Sequence, residues 1–408
     1  MRLRWLGCIV AAGVALLAAS TPAYAATIYP GALLERSVGG GGFAATYTPQ
    51  PNLAAAQLDG YGWISYGVAA TSSSDAWAVG SYLDRLGTEH AGIEHFSSSW
   101  QNVSNSAAPP SSSLSGVTAV AADNVWAVGL HVATVSGQRV NRTLIEHWNG
   151  ISWSVVASQD AVSGSGADGL SAVAAAGADD VWSAGETCTF GTPETCATLF
   201  EHWDGAQWTI VPSSQAAPLG PTNGHLCDDA TRCPYSVALS VLSDTDVWAV
   251  YGGSGSFVMH WDGTSWTTVA GAVPNGYEIN GLWAAAANDI WAVGDSLADM
   301  RNPTLFEHWD GSSWSVVPGP IPAHTRVWLL GVSGSATNDV YAVGAYRTCN
   351  GCNGAHTWAE HWDGSSWSVV STQNPTTIGG YPVDDYLDGV SAVVGGVFAA
   401  GNETVETG

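Results

Sequence analysis

Six histidines recur in one short sequence context along the chain. Each is followed by an aromatic residue, and five of the six are preceded by Glu. Imidazole and carboxylate groups serve as metal ligands and as general acids or bases, so such a set raises the question of a metal or catalytic site. Because successive members lie about 50 residues apart in separate repeats, we expect no shared site. The set comprises His95, His147, His202, His260, His308 and His361. We predict that each imidazole is partly buried and hydrogen-bonded to the backbone of a neighbouring strand.

The repeat that carries these histidines has two halves. The first half reads Asp/Asn-x-Trp-Ala-Val-Gly, and the second reads Glu-His-Trp-Asp-Gly-x-x-Trp. Val-, Ile- and Trp-rich segments bounded by Asn-Asp and Asp-Gly turn signals indicate four short strands in each unit. Four strands in a unit of about 50 residues predict the blade of a β-propeller. The units are expected at about 67–104, 114–157, 168–212, 235–270, 278–318 and 326–371, with a partial unit at 386–401.

The two ends of the chain complete this architecture. The partial unit lacks its hairpin, and residues 26–66 precede the first full unit with apolar runs at 43–47 and 63–66. We predict an all-β protein with a single propeller over 67–408, built from four-stranded antiparallel blades. Seven blades are favoured, with part of 26–66 supplying strands to the last blade and so closing the ring. The alternative is a six-bladed ring with an additional strand pair, or a truncated chain.

The tryptophans fall into two sets. Those of the first half stand among apolar residues and are expected to pack between blades. Those that end the hairpin lie beside polar residues, where packing competes with sugar binding, because an indole face stacks on a pyranose ring while carboxylates orient its hydroxyls. Such a site repeated around a ring would raise avidity. The predicted sugar-binding residues are Trp153, Trp208, Trp266, Trp314, Trp367, Asp204, Asp262, Asp310 and Asp363.

The Asp or Asn that opens each first half has two interpretations. The simpler one is a turn residue whose side chain accepts backbone N–H bonds between the first two strands. The other is a network of Asp, His and Trp within each blade, comparable to that of WD40 repeats.

The alternation of Asp-x-Trp-Ala-Val-Gly with Glu-His-Trp-Asp-Gly-Ser-Ser-Trp resembles exported bacterial β-propeller repeat proteins, loosely grouped with BNR/Asp-box and kelch-like propellers. The resemblance covers about residues 67–401 and implies the fold, while it leaves activity open. The hairpins depart from the sialidase Asp-box, Ser-x-Asp-x-Gly-x-x-Trp, because Gly follows Asp directly. A sialidase-like site would also need a basic cluster, whereas the Arg residues are scattered along the sequence.

Charge narrows the classes of partner. The chain has 35 acidic residues, 10 Arg, no Lys and a net charge of −25, which disfavours nucleic acids and anionic membranes. Residues 1–25 read as a signal peptide with a basic start, an apolar run and the cleavage motif Ala23-Tyr24-Ala25. We therefore expect a secreted, extracellular protein without a membrane span in the mature chain, and a monomer.

Six cysteines outside the leader form three close pairs. Sequential pairing would close small loops and suits an exported protein. Cys349 and Cys352 also have the spacing of a redox motif, and two pairs brought together could bind zinc, but structural disulfides are expected. The predicted pairs are Cys188 with Cys196, Cys227 with Cys233, and Cys349 with Cys352.

We therefore expect a non-enzymatic binding propeller without cofactor or metal, whose ligand is an extracellular glycan or protein. The alternative is a glycoside hydrolase or polysaccharide lyase that uses acidic residues outside the repeat. Three Asp within 382–389 also raise the question of a calcium site. The acidic residues outside the repeat are Glu186, Glu194, Asp228, Asp229, Asp295, Asp299, Asp384, Asp385 and Asp388.

Overall fold

A computed structural model provides the structure of the protein. It describes residues 32–37, 42–47, 63–84, 86–105, 107–162, 164, 166–189, 195–213, 236–252, 255–296, 304–320, 326–347, 354–373, 377–378 and 381–405. The predicted leader at 1–25 lies outside these residues. So do the predicted disulfide partners Cys227, Cys233, Cys349 and Cys352, and the acidic residues Glu194, Asp228, Asp229 and Asp299.

The described residues form seven antiparallel sheets, which are the blades of one propeller. In each of blades 1 to 6, four consecutive strands lie side by side in chain order. The first strands of neighbouring blades contact one another all the way around the ring, so these strands are innermost. Among the described residues there is no helix, and accordingly none that is long and apolar enough to cross a membrane.

The strands are numbered β1 to β29 in chain order. Blade 1 consists of β3 Trp63–Ser72, β4 Asp75–Leu83, β5 Glu89–Phe96 and β6 Trp100–Asn102. Blade 2 consists of β7 Ser112–Ala121, β8 Asn124–Val135, β9 Gln138–Trp148 and β10 Trp153–Val156. Blade 3 consists of β11 Ala167–Gly177, β12 Asp180–Thr189, β13 Thr195–Trp203 and β14 Trp208–Ile210. Blade 4 consists of β15 Val237–Ser243, β16 Asp246–Tyr251, β17 Phe257–Trp261 and β18 Trp266–Thr268.

Blade 5 consists of β19 Tyr277–Ala286, β20 Asp289–Ser296, β21 Thr304–Trp309 and β22 Trp314–Val316. Blade 6 consists of β23 Arg326–Ala336, β24 Asp339–Arg347, β25 His356–Trp362 and β26 Trp367–Val370. Blade 7 consists of β28 Tyr381–Val393, β29 Gly396–Val405, β1 Ala32–Ser37 and β2 Ala44–Tyr47, with the short β27 Thr377–Ile378 beside β28.

Blade 7 closes the ring by joining the two ends of the chain. Strand β1 pairs antiparallel with β29, so the N-terminal segment provides the third and fourth strands of this blade. The seven-bladed prediction and the closure by terminal strands are both confirmed. The apolar run at 63–66 belongs to β3 of blade 1, and the closing strands are 32–37 and 44–47 instead.

Tryptophans at equivalent positions hold neighbouring blades together. Trp77 of blade 1 contacts Trp148 and Trp153 of blade 2, with ring centroids 5.0 and 5.4 Å away. The same three-ring contact recurs at the next four blade interfaces. Each second-strand Trp is buried, so these rings form part of the apolar core between blades together with Val, Ala, Leu and Ile side chains. This confirms the predicted inter-blade packing of the second-strand tryptophans.

The interfaces of blade 7 use other aromatic residues in the same places. Phe398 replaces the second-strand Trp and packs against Phe96 and Trp100 of blade 1. Phe43 replaces the hairpin-terminal Trp and meets Tyr341 of blade 6 edge-on. The strands of blade 7 are therefore packed into the ring through the same kind of aromatic contact as the other blades.

One predicted disulfide is confirmed. Cys188 and Cys196 face each other across β12 and β13 and are bonded, and both side chains are buried. The bond ties the ends of two adjacent strands of blade 3 at the end where they are joined by the loop between them.

Candidate ligand-binding site between blades 6 and 7

The hairpin-terminal tryptophans are packing residues in four of the five predicted positions. Trp153, Trp208, Trp266 and Trp367 are 0–6% exposed, and only Trp314 is half-buried. Their rings lie against the second-strand Trp of the preceding blade, as Trp266 does against Trp182. The covered rings offer no face on which a sugar could stack, so the structure places no open sugar-binding cleft at these four hairpins.

The hairpin carboxylates stabilise their own turns. Asp310 accepts hydrogen bonds at Oδ1 from the hydroxyl and backbone N–H of Ser312 and from the N–H of Ser313. These bonds, the Ser312 hydroxyl first, lower the pKa of Asp310 to about 2. Asp204, Asp262 and Asp363 make the same kind of turn. Each carboxylate is thus an Asx-turn acceptor in its own blade.

The repeated histidines bond to side chains rather than to the backbone. His308 Nε2 lies 2.8 Å from Oδ1 of Asp289, the residue that opens the first half of the repeat. The equivalent pair is present in blades 1 to 6, with Asn124 as the acceptor in blade 2. The prediction of backbone partners was therefore wrong for this nitrogen, because strand register sets His directly opposite the second-strand Trp and beside the turn Asp.

In blades 3 and 4 the network predicted as the alternative is complete. Asp180 Oδ1 lies 2.9 Å from His202 Nε2 and 3.0 Å from Trp182 Nε1, which donates to it. Asp246 binds Trp248 and His260 in the same way. The His ring also stacks on the Trp ring of its own blade, as His202 does at 4.4 Å. These three residue types therefore form a structural unit within the blade.

The Glu that precedes each His is buried between blades. Register aligns Glu35 of β1 with Glu307 of β21, because they face the equivalent residues Ala399 and Ala292. All of these carboxyl groups are 0–2% exposed, and the position is occupied by Met259 in blade 4. The series comprises Glu35, Glu94, Glu146, Glu201, Glu307 and Glu360.

Burial has a direct electrostatic consequence for these carboxyl groups. It raises the pKa of Glu35, Glu201 and Glu360 to about 8, and that of Glu146 and Glu307 to about 7. Glu146 receives a hydrogen bond from the amide of Asn105, which follows blade 1, so the side chain points at the preceding blade. These glutamates are therefore interface residues.

The acidic residues outside the repeat have separate surroundings. Asp388 accepts a hydrogen bond from the Asn402 amide at 2.6 Å, and Asp295 accepts one from the Asn280 amide at 2.9 Å. Asp385 is fully buried. Within the described part of the chain, no three acidic, His or Cys residues are grouped as a metal site would require. The three Asp of 382–389, considered above for calcium, form no such group among these residues.

Asp384 is neutralised by an arginine. Arg347 Nη2 lies 3.1 and 3.2 Å from the two carboxylate oxygens of Asp384 and donates to Tyr386 Oη at 3.3 Å. The backbone N–H of Ala355 also donates to Asp384. Arg347 belongs to blade 6 and Asp384 to blade 7, so this ion pair joins the two blades.

A second arginine lies at the same end of blade 6. Arg326 is the register partner of Arg347 across β23 and β24, so the two side chains share one sheet face. Trp328, two residues along β23, lies on that face with its ring 4.8 Å from the Arg326 guanidinium and 5.9 Å from that of Arg347. We call Arg326, Trp328 and Arg347 the Arg–Trp cluster. It lies at the end of the blades opposite the Asp-Gly hairpins.

The cluster is open on one side. Arg326 is exposed and Trp328 half-buried. Within the described residues, the Arg326 guanidinium has no hydrogen-bond acceptor, while Glu278 of blade 5 interacts with it electrostatically. Burial raises the pKa of Glu278, which disfavours its charged form. The cluster therefore presents an exposed guanidinium beside a half-buried indole.

Sequence reasoning missed this cluster because the arginines seem scattered when they are read in order. Only the pairing of β23 with β24 brings Arg326 and Arg347 together. The available signal was that both lie at the outer ends of the strands on either side of one turn, at Asn338-Asp339.

Comparison with known proteins finds no matching family model and no matching curated protein. Among solved structures, the chain is similar to "YCF48 bound to D1 peptide", with 12% identity, a TM-score of 0.45 and coverage of 85% of this chain and 92% of that chain. It is also similar to the fucose-specific lectin from Aleuria aurantia, with 12% identity, a TM-score of 0.43 and coverage of 77% and 97%. A third similar structure is that of U3-55K, with 12% identity, a TM-score of 0.47 and coverage of 87% and 100%. At this level of identity the likeness concerns the propeller architecture and says nothing about a ligand.

Proposed function

We propose that this protein is an exported, non-enzymatic β-propeller that binds carbohydrate at the Arg–Trp cluster between blades 6 and 7. The observation that carries the proposal is the partly exposed Trp328 ring flanked by two guanidinium groups. An indole supplies an apolar contact surface for a sugar ring, and guanidinium N–H groups donate to its hydroxyl oxygens. Few directional polar groups beside an aromatic surface are typical of small-ligand sites.

The rest of the repeat supports this position by elimination. The hairpin Asp residues, the His residues and most hairpin Trp residues are engaged within or between blades. The fold explains why these side chains recur once in each blade, because they form its turns and its packing contacts. The Arg–Trp cluster occurs in blade 6 and has no counterpart in the repeat sequence, so the repeated architecture does not explain it.

Export is supported by two independent features. Residues 1–25 have the composition of a signal peptide. The disulfide between Cys188 and Cys196 belongs to proteins of oxidising compartments. The high acidity of the chain also suits a protein that remains dispersed outside the cell.

The enzymatic alternative has one specific candidate acid. Glu186 of blade 3 is half-buried, and burial raises its pKa to about 7, a value suited to general acid catalysis. A glycosidase needs a second carboxyl group within about 10 Å of the first. Turnover of chromogenic glycosides or polysaccharides that is lost in a Glu186→Gln variant would contradict the non-enzymatic proposal.

A glycan array probed with the purified protein tests the proposal. Trp328→Ala and Arg326→Gln are expected to abolish or strongly weaken the signal, whereas Trp314→Ala, at the half-buried hairpin indole, is expected to retain it. Circular dichroism of each variant checks that the fold is intact. Loss of binding in Trp314→Ala alone would return the site to the hairpins, and the absence of binding to any glycan would overturn the proposal.

A further inference from the structure

The geometry points to a single carboxylate-bearing sugar, such as a terminal uronic acid, as the preferred ligand of the Arg–Trp cluster. This inference rests on the proposed carbohydrate-binding function and specifies its chemistry. Arg326 would hold the carboxylate, while Trp328 and Arg347 would contact the sugar ring and its hydroxyl groups.

Two cationic side chains placed directly opposite each other in a sheet repel, so this arrangement needs compensation. Asp384 of blade 7 compensates Arg347 through an ion pair. No described residue gives Arg326 an equivalent ion pair, and its guanidinium lies over the Trp328 ring instead. Glu278 of blade 5 interacts with Arg326 electrostatically without forming an ion pair among the described residues, so the exposed guanidinium can still pair with an external anion.

The shape of the guanidinium selects the type of anion. Its N–H donors form a planar fork that matches the two oxygens of a carboxylate in a bidentate pair. The indole restricts the positions of Arg326, so less conformational entropy is lost when the ligand binds. A neutral sugar would leave the charge unpaired, and specificity for the acidic form follows from that difference.

The charge of the whole protein limits the ligand to one or few acidic groups. The chain carries −25 net charge, so a long polyanion or a doubly charged phosphate monoester is repelled by the remaining surface. The Debye length at physiological salt is about 8 Å, so the nearby Arg326 guanidinium outweighs distant carboxylates at the cluster. A glycan that ends in one uronic acid satisfies both conditions.

The inference is tested by measuring the binding of two matched disaccharides. One ends in glucuronic acid, and the other ends in its carboxyl-reduced form, glucose. Isothermal titration at low and at physiological salt should show about tenfold or greater preference for the glucuronate-terminated sugar, weakening with salt. Arg326→Gln should remove that preference. Arg139→Gln, an exposed arginine on blade 2, changes the net charge equally and should retain it.

The outcomes separate the two proposals. Equal affinity for both sugars, or a preference unaffected by Arg326→Gln, overturns the carboxylate inference and leaves carbohydrate binding in place. A protein that binds neither disaccharide and no glycan on the array overturns both.

Discussion

The indole of Trp153 in blade 2 meets that of Trp77 in blade 1 edge to face, with ring centroids 5.4 Å apart and ring planes at 78°. Equivalent pairs recur at successive interfaces, so the Trp that closes the outer hairpin of one blade also packs against the preceding blade. Edge-to-face aromatic pairs add to the free energy gained by burying the rings.

The first prediction concerns this contact. Trp153→Ala removes a ring that is 6% exposed and is expected to lower the free energy of unfolding by about 3–5 kcal/mol. Trp153→Phe should cost much less, because Phe43 occupies the equivalent place in blade 7. Urea unfolding followed by circular dichroism measures both. Trp314→Ala is the comparison, and an equally large loss at that half-buried ring would contradict the argument from burial.

The repeat made the blade count and the inter-blade tryptophans predictable. Fixed spacing of the two halves gives the number of units, and the apolar surroundings of residues such as Trp77 indicate burial. The third strand of the closing blade also carried a signal, because Leu34-Glu35-Arg36 follows the pattern of Phe306-Glu307-His308. This signal is hard to recognise because Arg36 stands where the other blades carry His.

Other features depend on three-dimensional placement. Glu307 precedes His308 and reads as a solvent-facing residue, yet strand alternation sets it on the same face as Trp309, against the preceding blade. The Arg–Trp cluster needs the register of Arg326 with Arg347 and the seating of blade 7 against blade 6. Neither the burial of Glu307 nor the Arg–Trp cluster can be obtained from local sequence, because the partners come from different strands.

The second prediction concerns the pH dependence of stability. Burial raises the pKa of Glu201 to about 8, from an ordinary 4.5, and neither carboxyl oxygen has a hydrogen-bond partner among the described residues. Between these two pH values the folded state retains a proton that the unfolded chain releases. The stability from this group is therefore fully present at low pH and is lost as pH rises from about 5 towards 8.

Glu201→Gln removes this titration. The variant should melt at nearly the same temperature as the native protein at about pH 5 and at a higher temperature at about pH 8. Met259 in the equivalent place of blade 4 shows that the fold accepts an uncharged side chain there. Thermal melts across pH measure the effect, with Asp123→Asn, an exposed turn carboxylate, as the control. Parallel melting curves for native and Glu201→Gln proteins would rule out the proposed titration.

The third prediction concerns the disulfide of blade 3. Replacing both Cys188 and Cys196 by Ala opens a bridge between residues eight apart and is expected to destabilise the protein by about 2 kcal/mol. The loss should appear as a lower melting temperature in scanning calorimetry without reductant. Ala is chosen instead of Ser because both positions are buried, and a Ser hydroxyl group would be left unpaired there. An unchanged melting temperature would show that strand pairing alone holds β12 to β13.

The last prediction concerns ring closure at Arg36. Its guanidinium lies 4.9 Å from the Phe96 ring and 5.6 Å from the Phe398 ring, and it donates to the carbonyl of Ser73 in blade 1. Cation–π contacts and a hydrogen bond from a charged group together contribute about 2 kcal/mol. The side chain thus fastens β1 to blade 1 at the position where the other blades carry His.

Arg36→Gln should therefore loosen blade 7 before the rest of the ring. Hydrogen exchange measured by mass spectrometry is expected to be faster in residues 32–37 and in the paired strand β29, with little change in blades 3 and 4. Arg139→Gln, exposed on blade 2, is the matched control for the loss of one charge. If β1 exchanges at the native rate in Arg36→Gln, backbone pairing with β29 is sufficient for closure and Arg36 has no fastening role. If exchange rises equally in all blades, the residue contributes to global stability rather than to the joint between the two ends of the chain.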